Sequence, residues 1–169
     1  QCVPNFSEGK NKEVVEKIVD EIRKIDGIKL LDYSMDKDHN RSVVTFVGEP
    51  EKVVEAAFNS CKVASELIDM SKHKGGHPRM GATDVIPLIP ISDVTVEECI
   101  EYSKSLAKRI GEELNIPVFL YEKSATRQER ENLADIRRGQ YEGMAEKLKD
   151  ERWKPDYGPD KLNIKAGVT

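Results

Sequence analysis

The residues best suited to chemistry lie in one short segment, residues 73–84, which holds two of the chain's three histidines. The cations Lys74 and Arg79 flank His77, and no carboxylate occurs before the last residue of the segment. Two glycines precede His77 and Pro78 follows it, so the backbone can approach a ligand closely while His77 is pushed towards an extended conformation. A rigidly held imidazole titrates near neutral pH and suits proton transfer. The residues alone leave two interpretations open: a catalytic histidine facing an anionic substrate, or a solvated loop with an incidental histidine.

Two other polar segments could contribute hydrogen-bonding groups to the same site. One lies between two β-rich runs and consists of Asp36, Lys37, Asp38, His39, Asn40 and Arg41. Its composition is typical of a turn, and it would also place polar groups at the end of a sheet. The other segment, residues 3–9, runs from a strand-like stretch into a glycine before a helix. Backbone N–H groups there, with Asn5 or Ser7, could bind an anion.

A metal centre is not predicted. His73 and His77 are four residues apart, a spacing that ligates a metal ion on a helix, but the glycines and the proline around them oppose a helix. The three cysteines, Cys2, Cys61 and Cys99, form no CxxC pair. They indicate reduced thiols used as small apolar residues in a cytoplasmic protein.

Composition narrows the class of protein. The chain has 169 residues, a formal net charge of −4, 38% hydrophobic residues and 34% charged residues. These values indicate one globular domain, residues 1–169. The acidic balance argues against a nucleic-acid partner, because phosphate neutralisation needs a basic face. The longest uncharged stretch, residues 85–92, is far shorter than the ~20 residues that span a bilayer, so no membrane partner is expected. The chain begins without Met and ends abruptly, which leads us to expect a piece of a longer protein.

Hydrophobic periodicity and turn residues predict the elements that position these residues. Helices are predicted over residues 11–23, 50–70, 96–114, 127–138 and 141–150, and strands over residues 1–4, 28–33, 42–47, 84–91 and 117–121. This order predicts an α/β (α+β) fold with a mixed or antiparallel sheet built on a ferredoxin-like βαββαβ unit. Helices would cover one face of the sheet and leave the other face open.

Five motifs lie at residues 2–9, 38–48, 67–70, 77–85 and 153–159 and together extend across nearly all 169 residues. In order and spacing these motifs resemble those of the glutamate formiminotransferase family. Several long motifs in register are far more specific than any one of them. The resemblance therefore favours the catalytic interpretation of His77.

The resemblance implies a reaction and its substrates. The family transfers the formimino group of N-formimino-L-glutamate to tetrahydrofolate, late in histidine degradation, with tetrahydrofolate as co-substrate and no metal. Two alternatives stay open: formyl transfer from N-formylglutamate, and a stand-alone subdomain that binds folate without catalysing a reaction.

The resemblance also implies roles for individual residues. The family's catalytic histidine falls on His77. Carboxylates of glutamate or of the folate tail are expected at Arg79, Lys72 and Lys74, and further substrate contacts at Asn5, His39 and Asn40. The folate-contacting stretch falls on Gly158, Pro159, Asp160, Lys161, Leu162, Asn163, Ile164, Lys165, Ala166 and Gly167.

The family pattern further implies a partner. Its transferase unit consists of two similar α/β subdomains whose sheets face each other around a substrate tunnel, and this chain resembles the first. We therefore expect a C-terminal subdomain as partner, a homodimer, and an uncovered sheet face that is markedly apolar. Some members carry a carboxylate near the start of the second strand, where this chain has Ser34; Asp32 or Asp36 could serve instead.

Overall fold

A computed structural model describes all 169 residues of the chain. The five α-helices are α1 (Lys12–Arg23), α2 (Pro50–Leu67), α3 (Val96–Leu114), α4 (Leu133–Arg137) and α5 (Gln140–Lys147). The four strands are β1 (Asn5–Phe6), β2 (Lys29–Asp36), β3 (Arg41–Val47) and β4 (Thr83–Val85). They form one sheet in the order β2-β3-β1-β4, and every neighbouring pair is antiparallel. The predicted class, an α/β chain with an antiparallel sheet, is confirmed, whereas the ferredoxin-like unit stays a prediction.

Local signals explain where the long helices begin. The side-chain oxygen of Asn11 accepts hydrogen bonds from backbone N–H groups of the first turn of α1, which satisfies donors that have no partner inside the helix. Thr95 does the same for α3 by accepting a hydrogen bond from Glu98 N at 3.1 Å. Pro50 begins α2, where its missing N–H costs no helical hydrogen bond. None of the helices is long and apolar enough to span a bilayer.

The core lies between the helices and one face of the sheet. Val44 and Phe46 of β3 are fully buried and share a hydrophobic cluster with residues of α1, α2 and α3. Cys2 and Cys61 belong to the same cluster, and burial raises the pKa of their thiols to about 12 and about 11. These thiols are therefore small core residues, as predicted.

The opposite face of the sheet is partly exposed along β2 and β3, and it is more polar there than predicted. Val43 and Thr45 alternate with the buried residues of β3 and are only partly buried. The strand register places Asn5 opposite Val43, and Asp32 and Ser34 opposite Thr45 and Val43. The expectation of a markedly apolar face is therefore not met, because polar side chains interleave with the valines.

One predicted strand is shorter than expected and another does not form. The strand predicted over residues 84–91 is reduced to β4, because Pro87 and Pro90 lack the N–H groups that a sheet ladder requires. The strand predicted over residues 117–121 is absent from the sheet. That segment instead makes a single bridge between Val118 and Tyr157.

Two predicted helices also have different ends. The helix predicted over residues 127–138 divides into a 3₁₀ turn at Gln128–Arg130 and the short helix α4. The division occurs at Asn132, whose side chain accepts a hydrogen bond from Ala134 N and so starts a new helix. The helix predicted to end near residue 70 ends at Leu67.

Candidate active site

Asn40 connects the three segments that surround the site. It lies in the β2–β3 turn with φ 50°, a left-handed conformation that asparagine tolerates better than most residues. Its side-chain oxygen accepts a hydrogen bond from Gly9 N at 2.9 Å, and its side-chain amide donates to Lys74 O at 3.0 Å. Its own carbonyl oxygen accepts a hydrogen bond from His73 Nε2 at 3.0 Å. Both ends of the amide are therefore used inside the protein, so Asn40 holds the site together, and the substrate contact predicted for it stays a prediction.

Gly75 lets the histidine loop (residues 73–79) lie directly on the β2–β3 turn. A Cβ atom at Gly75 would be 2.3 Å from the carbonyl oxygen of His39 and 2.9 Å from the Cβ of Asn40. No side chain fits at this position without moving backbone atoms. The close approach predicted from the glycines thus occurs, but between two parts of the protein.

Arg79 is fully engaged within the protein. Its Nε–H donates to His73 Nδ1 at 3.0 Å, and its Nη2 donates to His73 O at 3.1 Å. The other donors reach Gln140 Oε1 at 3.1 Å and both carboxylate oxygens of Glu142 at 2.7 and 2.8 Å. All five N–H groups of the guanidinium are used, and the residue is only 7% exposed. Arg79 therefore ties the histidine loop to α5, and its predicted role in holding a substrate carboxylate stays a prediction.

These contacts fix the protonation state of His73. Because Arg79 Nε can only donate, His73 Nδ1 carries the lone pair and His73 Nε2–H donates to Asn40 O. Burial lowers the pKa of His73, and the positive charge of Arg79 lowers it further. His73 is therefore a neutral imidazole with both nitrogens occupied, and it has no free nitrogen for proton transfer.

His77 has the opposite arrangement. Its Nδ1 lies 2.6 Å from the carbonyl oxygen of Pro78, and because a carbonyl can only accept, Nδ1–H is the donor and Nε2 carries the lone pair. Partial burial lowers the pKa of His77, and the nearby charge of Arg41 lowers it further. The structure thus presents a neutral imidazole whose basic nitrogen has no protein partner, which is the form that a general base requires.

His39 faces His77 from the β2–β3 turn. The two ring centroids are 6.2 Å apart, and the rings are nearly perpendicular. Asp36 Oδ2 lies 2.6 Å from His39 Nδ1, which makes His39 Nδ1–H the donor and leaves His39 Nε2 without a protein partner. Backbone and side-chain hydrogen bonds from His39 lower the pKa of Asp36 and keep it a carboxylate. Of the two acidic residues considered in place of Ser34, Asp36 is the one that contacts a histidine of the site.

These residues surround a small pocket of about 200 Å³. It is lined by Phe6, Ser7, His39, Asn40, Arg41, His73, His77, Arg79 and Asp84. Larger hollows exist elsewhere, such as one of about 540 Å³ beside α3, but that one is lined mainly by apolar side chains and contains no histidine. No group of three or more His, Cys, Asp or Glu side chains lies close enough together to hold a metal ion.

Asp84 lies in the segment that the sequence singled out, but the sequence did not point to three other supporting residues of this site, Arg137, Gln140 and Glu142. Asp84 is buried, accepts a hydrogen bond from Met80 N at 2.7 Å, and forms an ion pair with Arg137 of α4. Gln140 and Glu142 of α5 hold Arg79. Gln140 and Glu142 lie 61 and 63 residues from Arg79 along the chain, so no local sequence pattern could have revealed these contacts.

Three other predicted substrate residues lie outside the pocket lining. Asn5 is partly buried and lies on the partly exposed face of the sheet, where its side-chain amide donates to Val3 O at 3.0 Å. Lys72 and Lys74 are exposed, and the nearest carboxylate to Lys72 is that of Asp69 at 4.0 Å. Lys72 thus forms a long ion pair with Asp69, and the substrate contacts of both lysines stay predictions.

The end of the predicted folate segment, residues 158–167, packs against residues 80–82, which follow the histidine loop. Ala82 N donates to Ala166 O at 2.8 Å, and Val168 N donates to Met80 O at 2.9 Å. Gly167 has φ 74°, and a Cβ there would be 2.3 Å from Met80 O, so glycine is required. The end of this segment thus helps to fix the backbone that follows His77, while Ile164 and Lys165 are exposed.

A buried ion pair anchors the loop that leads into this segment. Arg130, which is almost completely buried, donates to Asp156 Oδ1 at 3.0 Å and to the carbonyl oxygens of Arg152 and Lys154. Asp156 also accepts a hydrogen bond from Leu120 N at 2.8 Å. The motif at residues 153–159 therefore has a structural function in this chain.

Comparison with known proteins identifies the family. Residues 1–169 match the family described as the formiminotransferase domain, N-terminal subdomain. The chain is 59% identical over 169 residues to a glutamate formimidoyltransferase of Streptococcus pyogenes serotype M1, and 50% identical over 171 residues to one of Thermoplasma acidophilum. All of this chain matches 56% of each of those proteins.

A formimidoyltransferase-cyclodeaminase of Dictyostelium discoideum is 53% identical over 169 residues, which are all of this chain and 32% of that relative. The chain thus spans about half the length of the two transferases and a third of the bifunctional protein. It belongs to the formiminotransferase family, as the N-terminal subdomain of the formiminotransferase domain.

Proposed function

We propose that this chain supplies one half of the active site of an enzyme that transfers the formimino group of N-formimino-L-glutamate to tetrahydrofolate. The observation that carries the proposal is the state of His77, a neutral imidazole with an unpartnered Nε2 in a pocket shared with a second histidine. Family membership and the names of the relatives, glutamate formimidoyltransferase and formimidoyltransferase-cyclodeaminase, supply the reaction class.

The chemistry needs one proton to move between two nitrogens. N5 of tetrahydrofolate attacks the formimino carbon, and the new C–N bond gives a tetrahedral intermediate. His77 Nε2 takes the proton from N5 and returns it to the glutamate nitrogen as the bond between that nitrogen and the formimino carbon breaks. The products are 5-formiminotetrahydrofolate and glutamate, and His77 ends in its starting state.

The surroundings of His77 suit this cycle. A lowered pKa keeps Nε2 free to accept a proton at neutral pH. The hydrogen bond from Nδ1–H to Pro78 O fixes the tautomer and orients the ring, as a carbonyl or carboxylate partner does for other catalytic histidines. His39, oriented by Asp36, lies close enough to contact the same substrate.

The remaining parts of the active site are assigned to the rest of the protein and to the folate segment. Since the relatives extend well beyond the region that this chain matches, we assign the facing wall to a C-terminal subdomain. Residues 158–167 pack against the backbone that follows His77, which supports a folate contact by this segment near His77. Folate contacts within that segment, a homodimer and a cytoplasmic location are parts of the same proposal.

The test is His77→Ala in the full-length transferase. We expect kcat/KM to fall on the order of 100-fold or more, the usual contribution of a positioned acid–base group. The matched control is Lys108→Ala, an exposed residue of α3, which should leave the rate unchanged. A fall in kcat/KM of less than about threefold for His77→Ala would remove His77 from the mechanism.

The pH profile supplies a second readout. Because the pKa of free His77 lies below its ordinary value, the acid limb of kcat/KM should lie below the ordinary histidine range and disappear in His77→Ala. Parallel assays with N-formyl-L-glutamate separate the formimino from the formyl donor. Folate binding by the wild-type protein without transfer from either donor would favour a non-catalytic role.

A further inference from the structure

The pocket contains two arginines in opposite states. Arg79 has all five N–H groups in hydrogen bonds inside the protein. Arg41, which lines the same pocket, makes no side-chain hydrogen bond and no ion pair, and it is only partly buried. The pocket therefore offers a guanidinium that has no protein counter-ion, and its charge acts on His77.

The position of Arg41 is fixed although its side chain is free. It is the first residue of β3, and a Cβ on Gly9 would come within 2.5 Å of Arg41 N and 2.8 Å of Arg41 O. The backbone of Arg41 is thus packed tightly against Gly9. Its cross-strand neighbour Asp36 does not neutralise it, because the Asp36 carboxylate accepts hydrogen bonds from His39 and from the backbone N–H of Asp38.

Arg41 also lies on the correct side of the sheet. In β3 it alternates with the buried residues Ser42 and Val44, so it shares the partly exposed face with Val43. Under the proposed function, this is the face that meets the substrate. A ligand that reaches His77 from this face passes beside the guanidinium.

We infer, on the basis of the proposed function, that Arg41 binds the α-carboxylate of the formimino donor. The planar guanidinium matches a carboxylate through two parallel hydrogen bonds. In N-formimino-L-glutamate the α-carboxylate is attached to the carbon that carries the reacting nitrogen, so it must lie close to the group that His77 serves. The folate tail carboxylates, in contrast, are separated from N5 by the pterin and the aminobenzoyl group.

The assignment also gives the donor an electrostatic role. A free Arg41 opposes protonation of His77, whereas a carboxylate bound to Arg41 cancels that charge and makes it easier for Nε2 to accept a proton. Donor binding would therefore prepare His77 for the proton transfer that follows.

The test compares Arg41→Gln, Arg41→Lys and wild type in the full-length transferase. Charge-assisted hydrogen bonds of this kind contribute about 1.5–3 kcal/mol, so Arg41→Gln should raise the donor KM on the order of 10- to 100-fold. The KM for tetrahydrofolate should stay within about twofold of the wild-type value. The donor KM of Arg41→Lys should lie between those of wild type and Arg41→Gln, since a lysine keeps the charge but cannot form two parallel hydrogen bonds with a carboxylate. Lys37→Gln, which removes an exposed charge from the same turn, is the matched control and should behave as wild type.

A donor without the α-carboxylate, N-formimino-4-aminobutyrate, makes the test independent of the variant's folding. For wild type, kcat/KM should be on the order of 10- to 100-fold lower with this analogue than with the natural donor. For Arg41→Gln, kcat/KM should be equal for the two donors. The assignment is overturned if wild type does not distinguish the two donors, or if Arg41→Gln changes the tetrahydrofolate KM in place of the donor KM. A wild-type protein that transfers no formimino group would instead refute the proposed function itself, which separates the two failures.

Discussion

The substitution Glu142→Gln tests whether Arg79 is a positioning residue. Glu142 is the only counter-ion of Arg79, which is buried and holds the histidine loop against α5. Glutamine has nearly the same shape but no charge, and it keeps one of the two acceptor oxygens. The change should therefore weaken the anchor of the histidine loop without creating a cavity.

The expected loss of folding free energy in Glu142→Gln follows from two observations. Arg79 lowers the pKa of Glu142 from 4.5 to about 2, which corresponds to about 3 kcal/mol if it were undiminished by solvent. The Glu142 side chain is 65% exposed, so solvent screens most of that value and about 1 kcal/mol remains. Loss of one charge-assisted hydrogen bond to buried Arg79 brings the expected cost to about 1–2 kcal/mol at pH 7.

Urea unfolding of the 169-residue chain at several pH values measures this cost. The folded-state pKa of Glu142 is depressed, so its contribution is complete above the ordinary value of 4.5 and is lost as the pH falls towards about 2. The difference between wild type and Glu142→Gln should therefore shrink over that range. Glu146→Gln on the same helix is the matched control, because Glu146 is 82% exposed and pairs only with Lys149; its cost should be under about 0.5 kcal/mol. Equal effects of the two substitutions at pH 7, or a difference that does not change with pH, would refute the anchoring role.

Two further substitutions test how the turn and the histidine loop are joined. Gly75→Ala places a Cβ 2.3 Å from the His39 carbonyl and should lower kcat on the order of 10-fold or more in the full-length enzyme, since small displacements of catalytic groups are costly. Gly143→Ala in α5, where a Cβ meets nothing within 4 Å, should leave kcat unchanged, and similar rates for both variants would contradict the close packing. Asn40→Asp replaces the donor to Lys74 O with an acceptor and should cost about 1–3 kcal/mol in urea unfolding; unchanged stability with a higher substrate KM would instead restore a substrate contact for Asn40.

Local sequence signals predicted those parts of the fold that depend on neighbouring residues. The apolar stripe of α1 and the caps Asn11 and Thr95 appear in the structure as expected, because caps and stripes involve residues within a few positions of each other. The strand predicted over residues 117–121 failed for the opposite reason. Its apolar residues are buried, but by the segment near Tyr157 and by Thr169, which a local pattern does not contain.

The residues of the candidate site likewise fall into those recognisable from neighbouring residues and those that depend on distant contacts. His77 was recognisable from its setting between two glycines and a proline, because those residues act on the adjacent backbone. The anchoring role of Arg79 was not recognisable, because its cationic side chain looks free in the sequence while Gln140 and Glu142, 61 and 63 residues away, occupy its donors. Arg41 was named only as part of a polar turn, since its lack of a partner is a property of the folded arrangement.

The sequence by itself determined the family, the fold class and the histidine most suited to proton transfer. Residue types and their spacing carry that information, because backbone preferences and motif order are local or linear properties. Only the tertiary structure decided which nitrogen of each histidine is free and which arginine is already paired. Those properties depend on hydrogen bonds between distant segments, such as Asn40 to Gly9 and Lys74, and on the burial that removes water from them.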